Sequence, residues 1–172
     1  MSRCVRFRFK PIPLEGQIER IKYICDNEQF ICKDEILQTL VKISGGDLRK
    51  SIMTLQTAFK FYGKEFTTDE LLEIAGYVKE SEIINTYTAC CTQGSNEIIE
   101  LAKNLTDDGY STYQIMLQLL VYIIDYATSD IIMAECSAVC GEVEKRVVEG
   151  GSEHINLEYL LLKISSILHS NK

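Results

Sequence analysis

Apolar positions recur along most of this chain at the three-to-four-residue interval of a buried helix face, and in one short stretch at every second residue. The helical pattern predicts elements over about 14–27, 33–43, 48–62, 68–74, 80–92, 95–106, 111–129, 130–149 and 154–170. The alternating stretch is Val5-Arg6-Phe7-Arg8-Phe9, which reads as a strand with one half-buried face. A lone strand has nothing to pair with, so it is expected to complete a sheet formed by other segments. Inward positions are Ile18, Ile21, Ile24 and Cys25 in the first helix and Ile36, Leu37, Leu40 and Val41 in the second. In the third they are Leu48, Ile52, Leu55, Phe59 and Tyr62. Tyr113, Met116, Leu117, Leu120, Ile123 and Ile124 wrap so much of the seventh that burial on several sides is expected.

Breakers and caps divide these elements. Pro13 suits a first helical turn but brings no side-chain cap. Thr67 with Glu70 and Ser111 with Gln114 have the spacing of capping boxes, and Gly94, Gly109 and Gly150-Gly151 punctuate the later helices. Gly76-Tyr77-Val78-Lys79 is a breaker at which charge also changes sign, and it marks the expected boundary between two helical domains. Residues 1–64 carry 12 Lys or Arg against 7 Asp or Glu, whereas residues 65–172 carry 6 against 18. The basic front suits work near phosphates, and the acidic back suits solubility or contacts with other proteins.

Composition narrows the chemistry. Of the 172 residues, 46% are apolar, enough for one or two cores. The seven cysteines are an odd number and fall mostly on apolar helix faces, which reads as reduced thiols rather than a disulfide framework. Cys136 and Cys140 stand four apart, but no second ligand pair has zinc spacing, so no metal site is expected. Gln118, Asp125 and Asp130 interrupt the apolar run 115–134, making it core rather than a membrane span.

The stretch with the most chemical content is Ile43-Ser44-Gly45-Gly46-Asp47-Leu48-Arg49-Lys50-Ser51-Ile52. Two glycines end one helix and the next begins at once, with Ser44 and Asp47 in capping-box spacing. Arg49 falls near the start of the new helix, where the macrodipole already favours an anion such as phosphate. The same spacing suits solvated surface cations, the commoner meaning of isolated basic residues. No G-x-x-x-x-G-K-[ST] loop occurs, nor a strand ending in acidic residues that could hold Mg²⁺, so these residues are not expected to hydrolyse ATP alone. Of the two histidines, His154 beside Glu153 reads as a helix-start or interface residue rather than a general base.

Gly46-Asp47-Leu48-Arg49-Lys50 inside a helical hairpin resembles the sensor 2 motif of AAA+ clamp loader subunits. Ser2-Arg3-Cys4 and Phe7-Arg8-Phe9-Lys10-Pro11 resemble the S-R-C motif and strand exit of the small subunits of replication factor C. Asp108-Gly109-Tyr110 with Gln114 and Gln118, and Glu144-Lys145-Arg146 leading to Gly150, Glu153, His154 and Leu157, are similar to the collar of the subunit 4 type. The resemblance covers essentially the whole chain.

It implies an all-α fold: the end of an AAA+ core over 1–12, a lid domain over 13–76, a helical-bundle collar over 77–172, and one orphan strand. It implies that Arg3 is an arginine finger acting in trans on ATP held by a neighbour, and that Arg49 is a sensor 2 residue reaching ATP in cis. ATP and Mg²⁺ would be cofactors of the intact subunit. Partners would be other replication factor C subunits through the collar, and the sliding clamp and primer-template DNA through a missing N-terminal domain, in the nucleus and away from membranes. The competing reading is a stand-alone helical interaction module without ATPase function. The lid of a Holliday-junction helicase would instead require a winged-helix pattern after residue 76, where only helices are expected.

Overall fold

The computed structural model describes residues 7–10, 12–30, 32–127 and 129–170. Among them are nine helices and no strand: α1 (Leu14–Asn27), α2 (Asp34–Ser44), α3 (Leu48–Tyr62), α4 (Thr68–Ile74), α5 (Glu80–Thr92), α6 (Ser95–Asp107), α7 (Thr112–Tyr126), α8 (Asp130–Val148) and α9 (Glu153–Ser170). The expected strand is not seen in its described part. Residues 7–9 are irregular, with Phe7 78% and Phe9 92% exposed. No described segment lies alongside them to take the backbone hydrogen bonds that define a strand; residues 5 and 6 lie outside the described residues. No helix among the described residues is long and apolar enough to cross a membrane.

The chain divides into two compact units, 1–75 and 76–172. In the first, α2 packs against α1, α3 and α4. Its core holds Ile21, Cys25, Ile36, Leu37, Leu40, Val41, Leu55, Ala58 and Leu71, with Phe30 stacked on Phe66 at 5.5 Å and set edge-on to Phe59 at 5.4 Å. In the second, α9 is the central element, touching α5, α6, α7 and α8, and Leu157, Leu160, Leu161 and Ile164 are wholly buried along it. The start of α9 is tied to that of α7. The backbone N–H of Thr112 donates to Glu153 Oε2 at 2.9 Å, and the Thr112 hydroxyl donates to the Glu153 carbonyl at 2.9 Å.

Helix ends follow their local chemistry. Thr67 and Glu70 form the full reciprocal capping box, whereas at Ser111 only the bond from the Gln114 N–H to the serine oxygen is present. Pro13 stands at the N-cap of α1 without a side-chain cap bond. Helix α8 ends in the paired bonds of a Schellman motif, Gly151 N–H to Arg146 and Gly150 N–H to Val147, with Gly150 at a φ of +89°. Helix α1 closes in the same way, Phe30 N–H to Cys25 and Gln29 N–H to Asp26, but the left-handed position is Gln29, φ +54°. A β-carbon there costs about 1–2 kcal/mol. Gln29→Gly is therefore expected to stabilise the first unit by about 1 kcal/mol and raise its melting midpoint by a few degrees, read by circular dichroism.

Two inward faces differ from the pattern-based expectation. On α3 the most buried residues are Ser51, Leu55 and Ala58, while Leu48, Ile52, Phe59 and Tyr62 are half-buried. Small Ser51 and Ala58 form the closest face toward neighbouring helices, and Ser51 turns inward because its hydroxyl has partners there. On α7 the buried side chains are Thr112, Ile115, Met116, Leu119 and Ile123, with Leu117, Leu120 and Tyr122 partly buried against the core; the helix touches α5, α8 and α9 and leaves one face open. Tyr113, Val121 (59%) and Ile124 (51%) are exposed, and Asp125 is the one charged residue in the helix. On α1, Ile21 and Cys25 are buried as expected, Ile18 and Ile24 are half-buried, and the polar Gln17 is buried instead.

Cys25, Cys32, Cys90, Cys136 and Cys140 carry free thiols. Burial, reinforced by neighbouring acidic groups, pushes Cys90, Cys140 and Cys32 up to about 12 and Cys136 to about 11. These groups are protonated at neutral pH and poor nucleophiles. Among the described residues no group of three or more His, Cys, Asp or Glu is arranged to hold a metal ion.

Candidate functional site

The turn between α2 and α3 is built from two consecutive residues that only glycine occupies without strain: Gly45 at φ +62° and Gly46 at φ +85°. Gly45 closes α2 with its N–H on the Lys42 carbonyl. The chain then reverses within two residues, and Asp47 becomes the N-cap of α3. Its carboxylate accepts from the N–H groups of Arg49 at 2.8 Å and Lys50 at 3.2 Å.

This corrects the expected role of Ser44 as cap. Ser44 is the last residue of α2, and its hydroxyl donates to the Val41 carbonyl at 2.9 Å. It also accepts from the Ser51 hydroxyl at 2.7 Å, in a bond buried between the end of α2 and the first turns of α3. Lys50 reaches back toward the Ile43 carbonyl at 3.4 Å, over a helix C-terminus whose dipole favours a cation. The turn is thus clamped on both sides, by a serine pair within and a lysine outside.

The clamp leaves Arg49 as the remaining cation. It is exposed on the first turn of α3, and among the described residues its guanidinium has no hydrogen-bond or ion-pair partner. It borders an open groove of about 310 Å³ lined by Asp47, Lys50, Met53, Thr54, Thr57 and Ile74. Of the N–H groups at the helix start, those of Arg49 and Lys50 are already taken by Asp47. A phosphate would be met chiefly by the guanidinium fork, which matches two oxygens of one phosphate at once. The groove sets Arg49 and Lys50 beside the Asp47 carboxylate, an arrangement that can bind and orient an anion.

Arg3, the other candidate, lies outside the described residues, as do Ser2 and Cys4. Arg8 and Lys10 are exposed. His154 sits in the first turn of α9 with Nε2 at 3.2 Å from Glu158, a local i, i+4 pair rather than a catalytic arrangement. Gln17 and Ser51 have no role assigned by the sequence pattern, and Ser44 is expected there as a helix cap rather than as half of a buried serine pair. The one signal is that Ser44 and Ser51 lie on either side of the glycine turn, seven residues apart, which lets two hydroxyls meet across it.

Comparison with known proteins agrees with the two-unit division. Residues 19–60 match the RCF1/5-like, AAA+ ATPase lid domain, and residues 78–163 match the Replication factor C C-terminal domain. The chain is 36% identical over 160 residues to replication factor C subunit 4 of Arabidopsis thaliana, covering 91% of this chain and 47% of that protein. It is 33% identical over 171 residues to subunit 4 of Homo sapiens, covering 99% and 47%. To the replication factor C small subunit of Archaeoglobus fulgidus it is 32% identical over 167 residues, covering 96% and 52%. The chain therefore spans about half the length of the curated relatives it matches. With a lid-type unit holding the arginine turn, followed by a unit whose fold is closed by α9, the chain belongs to the replication factor C family.

Proposed function

We propose that this chain provides the lid and collar of a clamp loader small subunit, coupling ATP bound elsewhere to the loading of a sliding clamp onto primer-template DNA during replication and repair. The observation that carries the reading is Arg49, whose guanidinium has no partner among the described residues, beside a turn tied by Ser44, Asp47, Lys50 and Ser51 inside the stretch that matches an AAA+ lid. In this role Arg49 is the sensor 2 residue, contacting phosphates of ATP in the same subunit, and Arg3 is the arginine finger for the neighbour's ATP. A fixed guanidinium offsets the charge that gathers on the γ-phosphate oxygens during transfer. Residues 1–12 then belong to the end of the ATP-binding core, 13–76 to the lid and 77–172 to the collar.

The outer face of α7 is the surface we assign to neighbouring replication factor C subunits in the nucleus. Tyr113, Val121 and Ile124, with half-buried Leu117 and Leu120, form an uncharged stripe at helical spacing, which a helix facing only water does not need.

The test is ATP turnover in a reconstituted loader that contains this chain and an ATP-binding domain. Arg49→Ala is expected to raise KM for ATP or lower kcat/KM at least tenfold while leaving assembly intact. Arg3→Ala is expected to lower turnover by ~10³-fold or more. Unchanged turnover with Arg49→Ala would remove the sensor role. The 172 residues alone, which contain no phosphate loop, are expected to show no ATP hydrolysis.

A further inference from the structure

Gln17 lies on the buried face of α1 and is only 2% exposed. Its Nε2 donates to the Ile12 carbonyl at 2.7 Å, in the segment that leads into α1, and its Oε1 is buried with no partner among the described residues. An unsatisfied buried acceptor is destabilising, a cost that a methionine or leucine at the same place would not carry. Packing alone therefore does not account for an amide here. The same Nε2 lies 3.7 Å from the point where a β-carbon on Gly46 would stand, so the amide rests against the open side of the glycine turn. On the other side, Ile12 packs over Gly16, where a β-carbon would come within 3.5 Å of the Ile12 Cγ2.

We infer that Gln17 is a positioning residue that links the Ile12 segment to the Gly45–Gly46 turn, so that a shift of the chain entering α1 is passed to the first turn of α3 and to Arg49. The link is short: carbonyl, amide head, glycine, cap, arginine. Its meaning rests on the sensor reading of Arg49, since a displacement of the entering segment then changes how the guanidinium meets phosphate. The coupling itself is a property of this unit and is measurable without nucleotide.

Amide hydrogen exchange of the 172-residue chain tests it. Gly45 and Asp47 are suitable reporters because their N–H groups are bonded to the Lys42 and Ser44 carbonyls. Gln17→Met keeps the length and loses the donor, and Gln17→Asn keeps the amide but is too short to reach Ile12. Both are expected to speed exchange at Gly45 and Asp47 by roughly three- to tenfold, the range set by one lost hydrogen bond, with the interiors of α2 and α4 unchanged. Exchange that is unaltered at these amides, or that rises uniformly through α1–α4, overturns the coupling. Neither outcome depends on ATP, so failure of the Arg49 role in the loader assay and failure of the Gln17 link are separately visible.

Discussion

Ile124→Asp is expected to leave the isolated chain folded, with a melting midpoint within a few degrees of the parent, while abolishing its co-purification with other replication factor C subunits. The asymmetry follows from where Ile124 stands. It is half exposed on the outer face of α7, so in the free chain the carboxylate remains in water and costs only a small loss of helix propensity. In an assembly that covers this face, the charge would lose its hydration without a partner, at several kcal/mol, or more than a thousandfold in affinity. Asp125 and Asp130 lie close by in sequence at the end of α7 and the start of α8 and add like-charge repulsion. Retained co-purification with a normal melting curve would show that partners bind another face. A lowered melting midpoint would show instead that Ile124 supports the fold.

Leu160→Ala is the converse case. Leu160 is wholly buried on α9, the helix that touches every other helix of the second unit, so the vacated volume has rigid walls and little can collapse into it. A loss of about 2–5 kcal/mol is expected, read as a lower urea midpoint for the second unit. Since a domain of this size holds only about 5–15 kcal/mol in total, one substitution removes a large share. The first unit, with its own core, serves as the internal control: its transition is expected to stay in place.

The helix pattern was legible because long amphipathic segments carry their period redundantly. α1 and α5 end where their apolar spacing ends, and Thr67 with Glu70 caps α4 as their spacing implies. What was not legible was the role of polar residues inside. Gln17, Ser44 and Ser51 face inward because each finds a hydrogen-bond partner there, Ile12, Val41 and Ser44 respectively, and a count of apolar positions takes no notice of such partners. Thr112 and Glu153, 41 residues apart, show the same limitation in the second unit. On α7 the error ran the other way. The apolar wrap implies burial on several sides; α5, α8 and α9 do pack on this helix, yet Tyr113, Val121 and Ile124 remain as apolar surface. The site was legible as a cation on a turn, since Arg49 follows two glycines and a cap in sequence. That its helix start is closed by Asp47 depends on one side-chain rotation, which composition and spacing do not encode.

The central place of α9 also has a consequence for biogenesis. A ribosome makes α9 after the other helices of its unit, and until it emerges α5 to α8 lack the central element that completes the core holding Ile83, Ile98, Leu105, Ile115 and Leu119. The first unit can close its core as soon as residue 75 is clear of the exit tunnel, whereas the second must wait for nearly a hundred more residues, a delay of about 5–20 s at ordinary elongation rates. During that interval the nascent second unit is a partial bundle without its central helix, the stage at which a chaperone or protease would meet this chain.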